Sequence, residues 1–133
     1  MAMAFYAECY SRAEGDWGDM NRRLSDFEDF WPYYVSQHMS PACRALHFLG
    51  TSLVLVCLAA ALLLLSPRWF LASPLAGYGF AWVGHFVFER NRPATFTYPL
   101  WSLRGDFRMF RLMLLGRMGP EIQRAERLFP AQA

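Results

Sequence analysis

Lysine is absent from this sequence, and all thirteen basic residues are arginine. Histidine and cysteine are scarce, with three residues of each type. The cysteines, Cys9, Cys43 and Cys57, are odd in number and include no CxxC pair. This argues against a disulfide or zinc framework and predicts that they serve as small apolar side chains.

Formal charge is absent from two long stretches. Residues 48–65 and 69–88 contain no Asp, Glu or Arg, and 55% of the whole chain is hydrophobic. Charge-free stretches of about 18 residues or more are transmembrane candidates, because roughly 20 helical residues cross the apolar core of a bilayer. A buried hairpin in a soluble core is the alternative. The first stretch begins too late, and follows too many acids, to be a cleaved signal peptide. We therefore predict a single-domain integral membrane protein.

Proline positions and helical periodicity indicate the architecture. A first, amphipathic helix begins near Leu24. Ser-Pro pairs at 40–41 and 73–74 predict the starts of two longer helices, which end near Leu65 and Glu89. Only about eight residues would join these two, so we expect an antiparallel hairpin. The predicted fold is an all-α integral membrane helical bundle, with two transmembrane helices and interfacial helices at both ends.

A fourth segment, residues 100–115, carries a basic stripe formed by Arg104, Arg108 and Arg111. Spanning a membrane would bury several charges, whereas an interfacial helix directs them towards headgroups. We therefore expect an interfacial helix. The predicted division of the chain is a variable leader at 1–22, a membrane domain at 23–118 and a polar tail at 119–133.

The distribution of arginine predicts the topology. Between the two expected spans only Arg68 is charged, whereas Arg44, Arg90 and Arg92 flank the other ends of the spans. By the positive-inside rule, both termini are expected to be cytosolic. The membrane would be the inner membrane of a bacterium or the endoplasmic reticulum of a eukaryote.

The three histidines, His38, His47 and His85, fall where the second helix begins and the third ends. A hairpin would bring them to one depth, and Glu89 shares a helix face with His85 because the two are four residues apart. A lone interfacial histidine is usually just a hydrogen-bonded residue. The joint pattern favours function, because ionisable groups at membrane depth are costly. Imidazoles with one carboxylate suit a divalent transition metal, and the shortage of thiolates argues against structural zinc.

Tyr78 and Trp82 continue the stripe of His85 and Glu89 into the expected bilayer. Small residues at 77, 81 and 84 form a neighbouring seam that favours close approach of another helix. The pattern suggests a polar site that can bind a metal, next to an apolar cavity. Such an arrangement suits a single-chain lipid with a charged head. The alternative is that Tyr78 and Trp82 only pack or face lipid.

Two blocks of sequence carry a resemblance: FWPYYVSQH-x-x-P-x(5)-H-F-x-G-T-S-L, and GYGFAWVGHFVFERNRPATFTYPLWSLRGDFRM further along. Together they resemble the small membrane family of the fungal 2-hydroxy-fatty-acid dioxygenase, over residues 27–116. The GH-x-x-x-E-x-N-R-P-A part is the most specific element.

The resemblance implies an Fe(II)-dependent dioxygenase for α-oxidation of 2-hydroxy fatty acids. The carboxyl carbon is lost and the acid becomes one carbon shorter, a step that serves phytosphingosine breakdown in fungi. By this resemblance the motif histidines are His38, His47 and His85 and the motif carboxylate is Glu89, and these four residues are the predicted metal ligands. Three histidines exclude, within one subunit, the eight-histidine di-iron site of the fatty acid hydroxylases.

Further roles are hypotheses on the same basis. Arg92 or Arg44 would clamp the substrate carboxylate with paired hydrogen bonds. Asp106, which lies off the basic stripe, would orient a ligand histidine. The predicted catalytic groups are Glu89, Arg92 and Asp106. The predicted substrate contacts are Arg44, Tyr78, Trp82, Asn91 and Arg104.

The expected partners are a 2-hydroxy fatty acid, dioxygen and the lipid bilayer, with no nucleic acid. Two thin spans would also gain from forming a homo-oligomer. Two other functions stay open: a non-catalytic lipid-binding membrane hairpin, and a zinc-dependent membrane hydrolase with Glu89 as general base. Iron content and oxygen uptake distinguish the three.

Overall fold

The computed structural model describes residues 24–130, and every regular element in that range is helical. This confirms the all-α prediction; the leader at 1–22 lies outside the described residues. A π-helical turn, Gly84–Glu89, extends the third helix, and a short 3-10 turn, Ala94–Phe96, precedes the fourth. The α-helices are α1 (Phe27–Ser36), α2 (Pro41–Leu63), α3 (Pro67–Val83), α4 (Pro99–Leu114) and α5 (Met118–Leu128).

Helix α1 is the centre of the aromatic core. It begins at Asp26, whose carboxylate accepts a hydrogen bond from the Asp29 amide, and such a cap satisfies an otherwise unpaired donor. The Trp31 indole nitrogen donates to Glu121 of α5 over 2.8 Å, which ties the last helix to the first. The buried apolar residues of this core are Phe27, Phe30, Trp31, Tyr34, Val35, Ala94, Met109, Met118 and Ala125.

Helices α2 and α3 pack against each other in antiparallel directions. A Cβ added at Gly84 would lie 2.9 Å from the Cys43 sulphur, near the start of α2. One added at Gly77 would lie 3.0 Å from Val54, further along α2. The predicted small-residue seam is therefore confirmed at positions 77 and 84, where the missing side chains let the helices approach.

The predicted start of the third helix at Pro74 is wrong. Helix α3 begins at Pro67, and Pro74 lies inside it. Proline has no N–H to donate to the Phe70 carbonyl, four residues earlier. The Ser73 hydroxyl donates to that carbonyl over 2.8 Å instead. A side chain thus replaces the missing backbone hydrogen bond, and the helix continues.

One helix among the described residues is long and apolar enough to cross a membrane. This is α2, and only 17% of its most apolar window is buried. A core helix of a soluble protein would be mostly buried, so the exposed leucines of α2 are better suited to lipid. Helix α3 has 17 residues and falls short of the same length criterion. The predicted pair of spans is thus supported at one helix only.

We expect Gly50→Ala to destabilise the hairpin. A Cβ there would lie 3.1 Å from the Phe80 Cβ and 3.3 Å from the Gly77 carbonyl oxygen, so the helices must separate. Such overpacking costs about 1–3 kcal/mol. Gly79→Ala is the matched control, because nothing lies within 4 Å of its added Cβ. Thermal unfolding in detergent measures both, and equal midpoints for the two variants would contradict the packing described here.

Candidate metal centre

The three histidine rings meet in one buried cluster. The ring centroids of His38 and His47, and of His38 and His85, are 4.5 Å apart, and those of His47 and His85 are 5.1 Å apart. All three residues are buried. With Cys43 they form a group in which one possible ligand atom from each residue lies within 4.8 Å of the others. The hairpin thus joins residues that are far apart in sequence.

His38 lies between α1 and α2 and is held by the backbone. Its Nδ1 is 2.6 Å from the Tyr34 carbonyl oxygen. A carbonyl only accepts, so Nδ1 carries the proton and Nε2 is left with a lone pair. Burial, and then the neighbouring His47 and His85 rings, lower the pKa of His38 well below its ordinary value. The neutral imidazole, which is the form that binds metals, is therefore favoured.

His47 lies on α2 and is held by a carboxylate of α4. Its Nδ1 donates to Asp106 Oδ1 over 2.8 Å. The Tyr34 hydroxyl donates to the same oxygen. Burial and the Asp106 charge raise the pKa of Tyr34 well above its ordinary value, so the phenol keeps the proton that it donates. Tyr34 thereby contacts His38 through its carbonyl and Asp106 through its hydroxyl.

His85 lies in the π-helical turn and is held by Asn91. Its Nδ1 is 2.8 Å from Asn91 Oδ1, while the Asn91 amide nitrogen donates to the carbonyl and side-chain oxygens of Gln37. These donations direct the oxygen of Asn91 towards His85. The chain reverses after the turn at Arg90, which adopts a left-handed conformation with φ 55°. π-helical turns of this kind are frequent at functional sites.

Because each Nδ1 atom faces an oxygen acceptor, Nε2 is the ring nitrogen that each histidine has left to offer a metal. The Nε2 atoms of His38 and His47 are buried and have no hydrogen-bond partner within residues 24–130. Unpaired buried nitrogens are costly unless something binds them. Metal-ligating histidines characteristically donate their other ring N–H to a carbonyl or carboxylate, as all three do here to oxygen acceptors. The residues present therefore fit a metal ion bound through three Nε2 atoms.

Cys43 and Glu89 lie against this cluster and contact each other. Glu89 accepts a hydrogen bond from the Ser40 amide over 2.6 Å, and its carboxylate lies close enough to the Cys43 thiol to interact with it. Its carboxylate thus joins the end of the hairpin to the start of α2 and does not belong to the four-residue group. The ligand role that the sequence predicts for Glu89 is not tested by these contacts, and its hydrogen bond to Ser40 favours the joining role instead. The sequence predicts Cys43 to be a small apolar side chain, but Cys43 lies in the four-residue group. Its position four residues before His47 places both on one helix face, which is the sequence signal for its membership.

Glu89→Gln separates the two roles of this side chain. If Glu89 serves to join Ser40 to the hairpin, glutamine keeps an accepting oxygen, and iron affinity should change by less than about threefold. If it is a ligand, loss of the charge should weaken binding by about 10-fold or more. Titration of the apoprotein with Fe(II) under anaerobic conditions measures this. We expect the smaller effect, with Glu89→Ala as the larger disruption for comparison.

The other predicted site residues make separate contacts. The Arg44 guanidinium donates through Nη1 to the His38 and Met39 carbonyls, each over 2.7 Å. Arg92 lies over the Phe96 ring, at 5.1 Å. Arg104 lies over Phe27 of α1, at 3.9 Å. Tyr78 and Trp82 are exposed on α3.

Sequence reasoning predicted Asp106 as a group that orients a histidine, but it assigned Asn91 to the substrate and missed the partner of His38. The contact between His38 and the Tyr34 carbonyl cannot be predicted from the sequence, because every residue has a backbone carbonyl. Gln37 and Ser40 act through contacts that only the folded chain brings about.

Fold and cluster together define a small all-α protein with a buried, metal-capable histidine centre at the base of an apolar helical hairpin. A family model described as 2-hydroxy-palmitic acid dioxygenase Mpo1-like matches residues 24–118. The chain belongs to this Mpo1-like family. Comparison with curated proteins and with solved structures gave no match.

Proposed function

We propose that this protein is an Fe(II)-dependent dioxygenase that α-oxidises 2-hydroxy fatty acids and shortens them by one carbon. The observation that carries the proposal is the cluster of three buried histidines whose Nδ1 atoms are all held by oxygen acceptors. Membership of a family named for a 2-hydroxy-palmitic acid dioxygenase supports the reaction class.

His38, His47 and His85 are the proposed ligands. Iron bound there would supply the redox chemistry that dioxygen needs to react with an organic acid. The protein contributes a dry site and fixed imidazoles. Asp106 balances part of the positive charge through the His47 N–H, and the buried Tyr34 ring packs beside His38 at 4.2 Å between centroids.

The proposed substrate path runs along a row of aromatic side chains, Tyr78 and Trp82 of α3 followed by Phe96. The Tyr78 and Trp82 ring centroids are 6.1 Å apart, and Trp82 stacks on Phe96 at 6.2 Å. Arg92 lies over the Phe96 ring, at the end of this aromatic row. An acyl chain along the rings would therefore bring a carboxylate towards a guanidinium. Arg44 is the second proposed clamp, because within residues 24–130 only its Nη1 donates hydrogen bonds.

We also propose that the hairpin spans the membrane as two helices with both termini cytosolic. Helix α3 runs without a break into the π-helical turn, so the 17 residues of α3 gain six more. The combined helix is long enough to cross a bilayer. Large apolar side chains of the hairpin are exposed, among them Leu63 at 83% and Leu75 at 78%. These side chains would be stable in lipid and costly in water.

The direct test is oxygen consumption by anaerobically purified, Fe(II)-loaded protein. With 2-hydroxypalmitic acid we expect oxygen uptake and an acid one carbon shorter, detected by mass spectrometry. Palmitic acid is the matched substrate control, because it lacks only the hydroxyl and should give no uptake. Iron-loaded protein that consumes no oxygen with 2-hydroxy acids of several chain lengths would contradict the proposal.

A zinc site is the second candidate, because Cys43 lies within the cluster. Three nitrogens and one sulphur would close a tetrahedral zinc site and leave no position for substrate. The Glu89 carboxylate beside Cys43 disfavours the thiolate, which is the form of cysteine that binds metals, and so favours the open, three-histidine arrangement instead.

Cys43→Ser decides between these arrangements. Serine keeps a small polar side chain beside Glu89, so we expect iron content and oxygen consumption to stay within about threefold of the native protein. If sulphur is a ligand, the variant should lose most of its metal. Cys57→Ser is the control, since Cys57 is buried on the same helix but lies outside the cluster.

A further inference from the structure

A second polar feature lies outside the metal centre, in a groove between α1 and α4. Its volume is about 520 Å³, within the range of small-molecule sites. None of its lining residues belongs to the histidine cluster. The lining residues are Phe27, Arg104, Phe107, Arg108, Arg111 and Leu112.

The groove carries uncompensated positive charge. Arg108 is paired with Glu28 at 3.0 Å and lies over the Trp31 ring at 4.5 Å. Arg104 lies over the Phe27 ring, and within residues 24–130 neither it nor Arg111 has an acidic partner. Two guanidinium groups are therefore free to bind an anion, and guanidinium geometry matches phosphate oxygens well.

An apolar stripe borders the arginines on α4. Leu100, Leu103, Phe107 and Leu114 are exposed, Leu100 at 79%. Their spacing places them along one side of the helix, next to the basic stripe. A helix with this pattern lies in the membrane interface, with apolar side chains towards the acyl chains and arginines at the depth of the headgroups. A free inorganic anion would use only the arginines, whereas a phospholipid would use both stripes.

We propose that the groove is a binding site for an anionic phospholipid, with Arg104 and Arg111 holding its phosphate and the exposed apolar stripe contacting its chains. This role for Arg104 differs from the substrate contact predicted from sequence. The proposal does not depend on the reaction at the metal centre. A lipid bound in this groove would fix the depth and tilt of α4. Asp106 lies on the same helix and is hydrogen-bonded to His47, so the bound lipid would also be connected to the metal centre.

Native mass spectrometry of the full-length protein in a mild detergent tests the proposal. The probes are phosphatidylglycerol, phosphatidylcholine and inorganic phosphate, each titrated separately. We expect phosphatidylglycerol to be retained more tightly than phosphatidylcholine. Each arginine near a lipid headgroup contributes roughly fivefold in affinity, so Arg104→Gln with Arg111→Gln should weaken binding about 25-fold.

Arg124→Gln is the matched control, because Arg124 is an exposed arginine on α5, outside the groove. It should retain phosphatidylglycerol like the native protein. A thermal midpoint close to that of the native protein shows that the double variant is folded; should that variant not fold, Arg111→Gln alone is used and should weaken binding about fivefold. Equal retention of the two lipids, full retention by the arginine variants, or binding of inorganic phosphate as tight as that of the lipid would overturn the proposal. So would a lipid-free dimer that the arginine variants dissociate, because a second copy would then be the occupant.

Discussion

His85→Ala is expected to remove iron from the protein and with it all oxygen consumption with a 2-hydroxy fatty acid. The cluster has only three imidazoles, and a site with two neutral nitrogens binds Fe(II) far more weakly than one with three. Iron content should therefore fall from about one per chain to background after gel filtration. Inductively coupled plasma mass spectrometry measures it directly.

Phe88→Ala is the control for this variant. Phe88 lies in the same π-helical turn but is exposed, at 49%, so its removal alters neither the cluster nor its hydrogen bonds. Iron content should stay at the native level. Full iron occupancy in His85→Ala would show that the metal lies elsewhere or that the histidines do not bind it.

Asp106→Ala is expected to lower iron affinity by about 10- to 100-fold, the usual cost of removing the partner that orients a metal-binding histidine. Asp106 accepts hydrogen bonds from both the His47 ring and the Tyr34 hydroxyl, so its loss frees one ligand and leaves a buried phenol without an acceptor. Asp106→Asn keeps an accepting oxygen and should recover much of the affinity. Anaerobic Fe(II) titration followed by the quenching of tryptophan fluorescence gives the dissociation constants.

A purely structural role for Asp106 would produce a different result. The thermal midpoint would then fall while the iron dissociation constant stayed at the native value. Glu126→Gln, which removes an exposed carboxylate on α5, controls for the change in net charge. A dissociation constant for Asp106→Ala within twofold of the native value would contradict the positioning role.

The hairpin could be predicted because its causes are local. A charge-free stretch long enough to span a bilayer, a Ser-Pro helix start and small residues at helical spacing all lie within single segments. The misplaced start of α3 shows the limit of such signals. Ser73-Pro74 looks like a helix start, and only the Ser73 hydroxyl bonded to Phe70 reveals that the helix passes through it.

The arrangement around the histidines was only partly predictable. His38, His47 and His85 stand out because the chain has no other histidine. Their orientation depends on a backbone carbonyl, on α4 meeting α2 and on the reversal at Arg90, and these are tertiary contacts without a sequence pattern. Cys43 shares the face of His47, and its helical spacing was enough to place it near the cluster.

Iron K-edge X-ray absorption on the anaerobically loaded native protein tests the central claim most directly. A metal bound through the three Nε2 atoms predicts the multiple-scattering pattern of three imidazoles, with nitrogen and oxygen neighbours and no sulphur. A spectrum with a sulphur neighbour, or one without imidazole scattering, would contradict the three-histidine centre.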